Sequence, residues 1–243
     1  MTDIHSHVLP KTDDGAATYM ESLDMLRIAR SKGTKRMVCT PHFYNPRIGH
    51  VDKDRVFDIF EGLKARAAGI DVEILLGSEV FCSDLFLREL PMKNFFTING
   101  TDYLLVEFDF HDDIDRVLFA VDIITKAGYI PIIAHPERYS FLRRDEYYVE
   151  KFLSMGALFQ VNTTSLAGMH GERAFDFAAW MLDNRYVAAV ASDAHDTSFR
   201  SPDIRGAYMW LYGNAGFSKT YAEELFFDNP EAIISGQKII TRW

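Results

Sequence analysis

Short apolar, β-branched runs recur down this chain, and nearly every one ends in a polar residue able to carry chemistry. Residues 2–5 read as a first strand leading through Asp3-Ile4-His5-Ser6-His7. Arg36-Met37-Val38-Cys39-Thr40 runs into Pro41-His42, and Val72–Leu76 ends at Gly77-Ser78-Glu79. Tyr103–Val106 delivers Glu107, Tyr129–Ala134 delivers His135, and Ala157–Val161 delivers Asn162. Val187–Ala191 leads into Ser192-Asp193-Ala194-His195. These seven strands alternate with helical stretches, the pattern of parallel strands joined by crossover helices. An open sheet would focus a ligand at its switch point and leave the outer strand ends remote. Polar groups at the end of every strand, first and last included, need a closed barrel to bring them around one centre. The expectation is α/β, a distorted TIM-like (β/α)7 barrel, with residues 1–243 as one domain.

The helices carry their own signals. Thr18 with Glu21 three residues on is a capping-box pair for a helix over 18–32, with Leu23, Met25, Leu26, Ile28 and Ala29 inward and Gly33 as its stop. Asp52 caps a helix to about Ala68, with Val56, Phe57, Ile59, Phe60 and Leu63 inward. A short helix over 84–90 ends at Pro91. Ile114–Lys126 is helical and stops at Gly128, and Asp145 caps a helix to Met155 that stops at Gly156. Gly171–Asn184 is helical, and the tail carries helices around 203–212 and 218–227, then Asn229-Pro230 and a last short helix. Thr241-Arg242-Trp243 carries no legible signal.

Composition narrows the function classes. A formal net charge of −9 argues against nucleic-acid binding, which leans on a basic surface. No apolar run is long enough for a membrane span, and the start lacks a signal peptide's charged and apolar regions, so no membrane insertion is expected. Two scattered cysteines, Cys39 and Cys82, read as reduced thiols of a cytoplasmic protein.

Nine residues are candidate metal ligands: His5, His7, Asp14, His42, Glu79, Glu107, His135, Asp193 and His195. A lone histidine at a strand end is more often a hydrogen-bonded core residue, and a lone carboxylate there is often a cap. Five of the eight histidines sit at strand ends or just past them, which chance placement does not explain. Imidazole and carboxylate donors suit zinc, iron or manganese, and oxygen donors alone suit magnesium or calcium. Carboxylates bridging two or three ions would use all nine, and Glu79 is the candidate bridge. His50, His111 and His170 read as solvated loop residues. Arg138 and Arg200, close behind His135 and His195, are the groups that would grip an anionic substrate bidentately. Phe43 and Tyr44, just after His42, would line the mouth and stack on a substrate ring, or simply pack their loop.

Cys82 to Arg88 fits the bare Cys-x5-Arg spacing of cysteine-dependent phosphatases. Such a loop must aim successive backbone N–H groups at a phosphate, which favours small residues. Here Asp84 would repel the anion, and Leu85, Phe86 and Leu87 read as packing residues.

His5-Ser6-His7, Asp13-Asp14-Gly15, Thr40-Pro41-His42, His135-Pro136-Glu137-Arg138-Tyr139 and Ser192-Asp193-Ala194-His195 together resemble the polymerase-and-histidinol-phosphatase (PHP) superfamily. More narrowly, the chain resembles its bacterial metal-dependent protein-tyrosine phosphatases of the CpsB/YwqE/CapC type, linked to capsule and exopolysaccharide synthesis. The resemblance covers residue 3 to about 236. It implies a (β/α)7 barrel with three divalent ions at its mouth, manganese being the usual activator. It also implies the same nine ligands, phosphate contacts from Arg138 and Arg200, and phosphotyrosine substrates on a partner bacterial tyrosine kinase, typically in a tyrosine-rich tail. Lys11 departs from the pattern, standing where relatives often have glycine before Asp-Asp-Gly.

On this reading a metal-bound hydroxide would attack phosphorus in line, with charge neutralised by the cations, Arg138 and Arg200. His42 or a bound water would protonate the leaving group. Alanine at His5 or Asp193 should abolish activity while leaving the fold. The alternatives are a small-molecule phosphatase such as one for histidinol phosphate, or a phosphodiesterase, on the same site. An amidohydrolase-type barrel acting on C–N bonds and a non-catalytic interaction module are further readings. The arginines speak against the first of these, and the intact ligand set against the second.

Overall fold

Two breaks in the strands set the shape of this fold, one at Thr40-Pro41 and one at Gly77-Ser78. In the computed structural model, which describes residues 1–239, they split the expected second and third strands in two. The strands are β1 (Thr2–Ser6), β2 (Arg36–Cys39), β3 (His42–Phe43), β4 (Glu73–Leu76), β5 (Glu79–Phe81), β6 (Tyr103–Glu107), β7 (Ile130–Ala134), β8 (Leu158–Asn162) and β9 (Ala189–Ala191). They form two wholly parallel sheets, ordered β1-β2-β4 and β3-β5-β6-β7-β8-β9. Backbone bonds carry the pairing across the breaks: Thr40 N to Ser6 O at 2.8 Å, Gly77 N to Cys39 O at 2.8 Å and Glu79 N to Pro41 O at 3.1 Å. Gly77 sits in a crowded place, where a Cβ would stand 3.1 Å from both Ile98 and Val38, closer than side chains ordinarily pack.

On the other side β9 meets β1 without a ladder. A single parallel bridge, Ser6 to Ala194, joins them, with His7 N on Ala194 O at 2.8 Å and Asp193 N on His5 O at 2.9 Å. The ring of strands is therefore a distorted barrel, whose seven courses match the seven expected strands. Inside it, Ile4, Val38, Leu105, Ile132, Leu158 and Ala189 pack with Ile98 and with Ile233 and Ile234 of the last helix. A second, larger core lies between strands and helices.

The helices are α1 (Tyr19–Ser31), α2 (Lys53–Arg66), α3 (Asp84–Glu89), α4 (Ile114–Lys126), α5 (Tyr147–Ser154), α6 (Thr163–Leu166), α7 (Glu172–Asp183), α8 (Arg205–Gly213), α9 (Lys219–Glu223) and α10 (Asn229–Ile234). The Thr18 hydroxyl accepts from Glu21 N, but the Glu21 carboxylate reaches Ala17 N, one residue before the cap. Asp52 caps α2 as expected. Phe57 and Leu85, expected inside, are 48% and 46% exposed, because the buried stripe passes through Val56, Phe60 and Leu63 and through Phe86 instead. Pro91 does not close a helix but sits in a further 3-10 turn, Leu90–Met92. Glu146, not Asp145, occupies the cap of α5, although Asp145 still accepts from Tyr147 N. Nor do Asn229 and Pro230 interrupt the tail: a wide turn, Glu224–Asp228, leads from α9 into α10, and proline is tolerated in that helix's first turn. Thr241-Arg242-Trp243 lies outside the described residues. Among the described residues, no helix is long and apolar enough to cross a membrane.

Candidate functional site

The strand ends do converge. The Glu79 carboxylate, delivered by β5, lies within reach of four imidazoles: 3.4 Å from His5 Nε2, 3.2 Å from His7 Nε2, 3.1 Å from His42 Nδ1 and 2.9 Å from His135 Nε2. Asp193 Oδ1 stands 3.4 Å from His5 Nε2 and 3.5 Å from His7 Nε2. Asp14 Oδ1 stands 3.3 Å from His195 Nε2 and 3.5 Å from His42 Nε2. Glu107 completes the set, 3.7 Å from both His42 Nδ1 and His135 Nε2. All nine candidates are thus in one cluster, and all but Asp14 are buried.

Local backbone explains the aim. The register of β1 on β2 shifts between Asp3 and Ser6, an irregularity of the kind that redirects side chains. His135 and Asp193 take left-handed backbone, φ 36° and 51°, just past the ends of β7 and β9. Non-glycine residues rarely adopt that region, and its use at a site is a form of stored strain. Gly15 is obligatory, because a Cβ there would fall 2.1 Å from His7 O. Lys11 is also left-handed, φ 61°, which accounts for the glycine that the family resemblance puts there.

Partners behind the imidazoles fix their tautomers. His5 Nδ1 meets Gln160 Oε1 at 2.7 Å, His7 Nδ1 meets Asp13 Oδ2 at 2.7 Å, and His195 Nδ1 meets the Asp193 carbonyl at 2.9 Å. Each acceptor takes the Nδ1 proton and leaves an Nε2 lone pair facing the cluster, so that His5 Nε2 and His7 Nε2 confront each other at 3.3 Å. Gln160 Nε2 donates to Asn162 Oδ1 at 2.8 Å, and Asn162 Nδ2 donates to Asp193 Oδ2 at 2.6 Å. A buried amide chain therefore ties His5 to Asp193. Fully buried Glu137 anchors it, accepting from Asn162 N at 3.1 Å and from Ser165 Oγ at 2.6 Å, while burial pushes its own carboxyl up to about 7.

This donor set fits divalent cations. Three groups have ligand atoms within 4.8 Å of one another: His7, Asp14, His42 and His195; His5, His7 and Asp193; and His42, Glu79 and Glu107. Among the described residues, the buried Nδ1 of His135 has no hydrogen-bond partner, and that of His42 faces Glu79 without the geometry of a hydrogen bond. Burial, with the negative charges of Glu79 and Asp193, pushes the Glu107 carboxyl well above its usual range. Facing lone pairs and crowded carboxylates are mutually repulsive until a cation joins them. Asn162→Leu keeps the size of the side chain and removes both amide bonds. We expect it to weaken manganese binding by roughly 10- to 100-fold, the usual cost of losing a partner behind a ligand, as read by titration of the stripped protein. Parental affinity would show that the amide chain does not position His5 and Asp193.

Over the cluster lies a cavity of about 160 Å³, lined by seven of the nine candidates with Arg138, Arg200, Asn45, Arg47, Ile48 and Phe110. Arg200 reaches Asp193 Oδ2 at 2.6 Å, and Arg138 approaches the same oxygen at 3.9 Å. The loop that returns Arg200 is folded by Asp196, whose carboxylate accepts from the backbone N–H groups of Ser198, Phe199 and Arg200. The Arg138 guanidinium lies over the Phe110 ring, 4.3 Å from its centroid.

Four expectations need correction here. Phe43 alternates with inward-facing His42 along β3, so it points outward, buried against Phe96. Left-handed backbone at Tyr44, φ 60°, swings that ring onto Phe86 and its hydroxyl onto Glu89. Phe110 is the aromatic beside the cavity. His42 has both nitrogens turned to carboxylates, and burial lowers its pKa, which suits a ligand and not a proton donor. His170 is not a solvated residue: it is half-buried on Thr164 Oγ1 at 3.0 Å, and burial, then the charges of Arg138 and Arg200, push it down to about 4. His50 and His111 do lie on the surface, His111 on Ser140 Oγ. Cys82 is buried, its backbone N–H is committed to Glu107 O at 2.7 Å, and burial raises its thiol to about 12, so no nucleophilic thiolate forms there.

Fold and site together define a class: parallel α/β barrels that gather imidazoles, carboxylates and arginines at the strand ends. A family model described as "Capsular polysaccharide synthesis, CpsB/CapC" matches residues 1–235, and the chain belongs to that family. Tyrosine-protein phosphatase YwqE of Bacillus subtilis (strain 168) is 30% identical over 243 residues, spanning 98% of this chain and 93% of that protein. Tyrosine-protein phosphatase CpsB of Streptococcus pneumoniae is 31% identical over 247 residues, spanning 98% and 100%. A solved structure described as one of YwqE from Bacillus subtilis and CpsB from Streptococcus pneumoniae, "unique metal-dependent tyrosine phosphatases", superimposes with a TM-score of 0.90 at 29% identity, covering 100% of this chain and 97% of that one. The lactonase Lmo2620 of Listeria monocytogenes, at a TM-score of 0.63 and 13% identity over 98% and 95% of the two chains, shares the fold alone.

Proposed function

We propose that this protein is a metal-dependent phosphomonoesterase that hydrolyses phosphotyrosine on a partner protein. The observation that carries the reading is the meeting of Arg200 and Arg138 on Asp193, above the cluster of imidazoles and carboxylates, within one cavity. A phosphate dianion needs fixed positive charge aimed at its oxygens, and two guanidiniums held by a buried carboxylate provide it. Phe110 packs beneath the Arg138 guanidinium at the rim, and Asp196 keeps Arg200 pinned to its loop. His5, His7, Asp14, His42, Glu79, Glu107, His135, Asp193 and His195 would hold two or three divalent cations, manganese first among them. Cations bound there would activate water for in-line attack on phosphorus. Tyrosinate is a fair leaving group, so little is asked of a general acid.

The similarity to YwqE and CpsB supports phosphotyrosine as substrate and a bacterial tyrosine kinase of capsule or exopolysaccharide synthesis as the protein that carries it. Cys39 and Cys82, buried and unpaired, suit the cytoplasm where such a kinase presents its tail.

The test is phosphate release from a phosphotyrosine peptide by stripped protein, with and without manganese. Release is expected only with the metal, and Cys82→Ser is expected to retain it within about twofold, since a buried thiol of high pKa contributes no nucleophile. Absence of release with any divalent ion, or its loss in Cys82→Ser without unfolding, would refute the reading.

A further inference from the structure

A second cavity, of about 420 Å³, opens beside the first. Leu166, Ala167 and Met169 form one wall, and Phe199, Ala207 and Trp210 the other. The two cavities share a ridge. Ser198, Phe199 and Ser201 line the second cavity, so the loop that presents Arg200 to one presents its neighbours to the other. Thr164, on the opposite wall, bonds His170, and His170 lies within the field of Arg138 and Arg200. Phe199 and Met169 are 72% and 37% exposed. The one carboxylate on the lining, Asp203, is already engaged by Lys32 Nζ at 2.6 Å, so the cavity offers no free anion to a cationic guest.

We propose that this cavity takes an apolar side chain of the polypeptide that carries the phosphotyrosine, within about three residues of it. The proposal rests on the phosphatase reading above. With phosphate oxygens on Arg138 and Arg200, the peptide backbone must lie outside the first cavity and cross its rim. Three extended residues span roughly 10 Å, and alternate side chains face the surface they lie on. A peptide that crosses toward Phe199 therefore lays a neighbouring side chain over the second cavity. Burial of a leucine-sized side chain there is worth roughly 10- to 100-fold in binding.

Gly206 supplies the test. It lines the cavity in the first turn of α8, and a Cβ built on it meets no heavy atom within 4 Å. Gly206→Leu therefore adds bulk on the cavity lining without displacing backbone. Met169→Glu places a charge on its rim as a second, surface-exposed variant. The full-length, manganese-loaded protein is assayed on a phosphotyrosine peptide flanked by leucines, on the same peptide flanked by serines, and on free phosphotyrosine. The parent is expected to favour the leucine peptide by about tenfold or more in kcat/KM. Both variants, checked for an unchanged circular dichroism spectrum, are expected to bring that preference below about twofold. An equal preference in all three proteins, or none in the parent, overturns the cavity assignment. Failure of the parent to hydrolyse even free phosphotyrosine would instead refute the phosphatase reading and this proposal with it, whereas hydrolysis without flank preference refutes the cavity alone.

Discussion

Asp193→Asn is expected to lower kcat/KM on a phosphotyrosine peptide by roughly a thousandfold or more while leaving a folded protein. Asp193 is where the whole site meets. One of its oxygens faces the imidazoles of His5, His7 and His195, and the other binds Arg200 and Asn162. Burial alone would raise its pKa, but the charges of His5, Arg200 and His195 overcome burial and hold the carboxyl far below its usual range. On the proposed metal site, removal of that charge would deprive a cation of a ligand and Arg200 of its anchor in one step. Asparagine is a cleaner substitution than alanine, because it tolerates the left-handed φ of 51° that Asp193 occupies. The metal-free variant should melt lower than the parent, since the lost charge is the one that His5, His195 and Arg200 hold ionised, and its removal leaves Arg200 without its partner. Its gain in melting temperature on addition of manganese should shrink sharply. Parental activity, or an undiminished manganese shift, would remove Asp193 from the metal site. His5→Ala, which also strands Gln160, should behave in the same way.

Arg200→Ala is expected to cost roughly 10²- to 10³-fold in kcat/KM, or about 3–4 kcal/mol, the usual effect of losing one preorganised donor in a water-poor site. Part of the loss should appear as a raised KM, because a guanidinium grips the ground-state dianion as well as the transition state. Arg200→Lys should recover only a small fraction, since an ammonium keeps the charge but not the planar fork. The buried Arg200 Nε has no hydrogen-bond partner, while its NH2 group is on Asp193. Manganese affinity should fall far less than in Asp193→Asn, because Arg200 holds a ligand and is not one. A loss below tenfold in Arg200→Ala would assign the phosphate contact to Arg138, or to Arg47, which lines the same cavity and which the spacing of strand ends gave no reason to select.

The convergence of the nine candidates was legible because strand ends are local features. An apolar run closed by histidine, aspartate or glutamate can be read without knowing what lies across the barrel. The amide chain was half legible. Gln160 and Asn162 are two residues apart in an otherwise apolar strand, which puts both on one face of β8, opposite Phe159 and Val161. The polar pair announces an interior task, but not that His5 and Asp193 are its partners. The same alternation, applied to β3, places Phe43 opposite to His42 and rules it out as a mouth residue.

What the sequence by itself determined is the order of strands and helices, the parallel pairing that order implies, and the residues that close each strand, whose placement favours a barrel over an open sheet. Hydrophobic periodicity and capping chemistry act over a few residues and do not depend on the rest of the chain. Only the tertiary structure decided which way those closing residues point. Tyr44, His135 and Asp193 owe their direction to left-handed backbone at non-glycine positions, which neighbouring residues do not encode. Phe110 under Arg138, His170 behind Thr164 and the return of Arg200 to Asp193 depend on contacts between segments distant in sequence. Such contacts are settled by packing of the whole barrel, because a side chain's direction there is set by the space and charge that other strands leave to it.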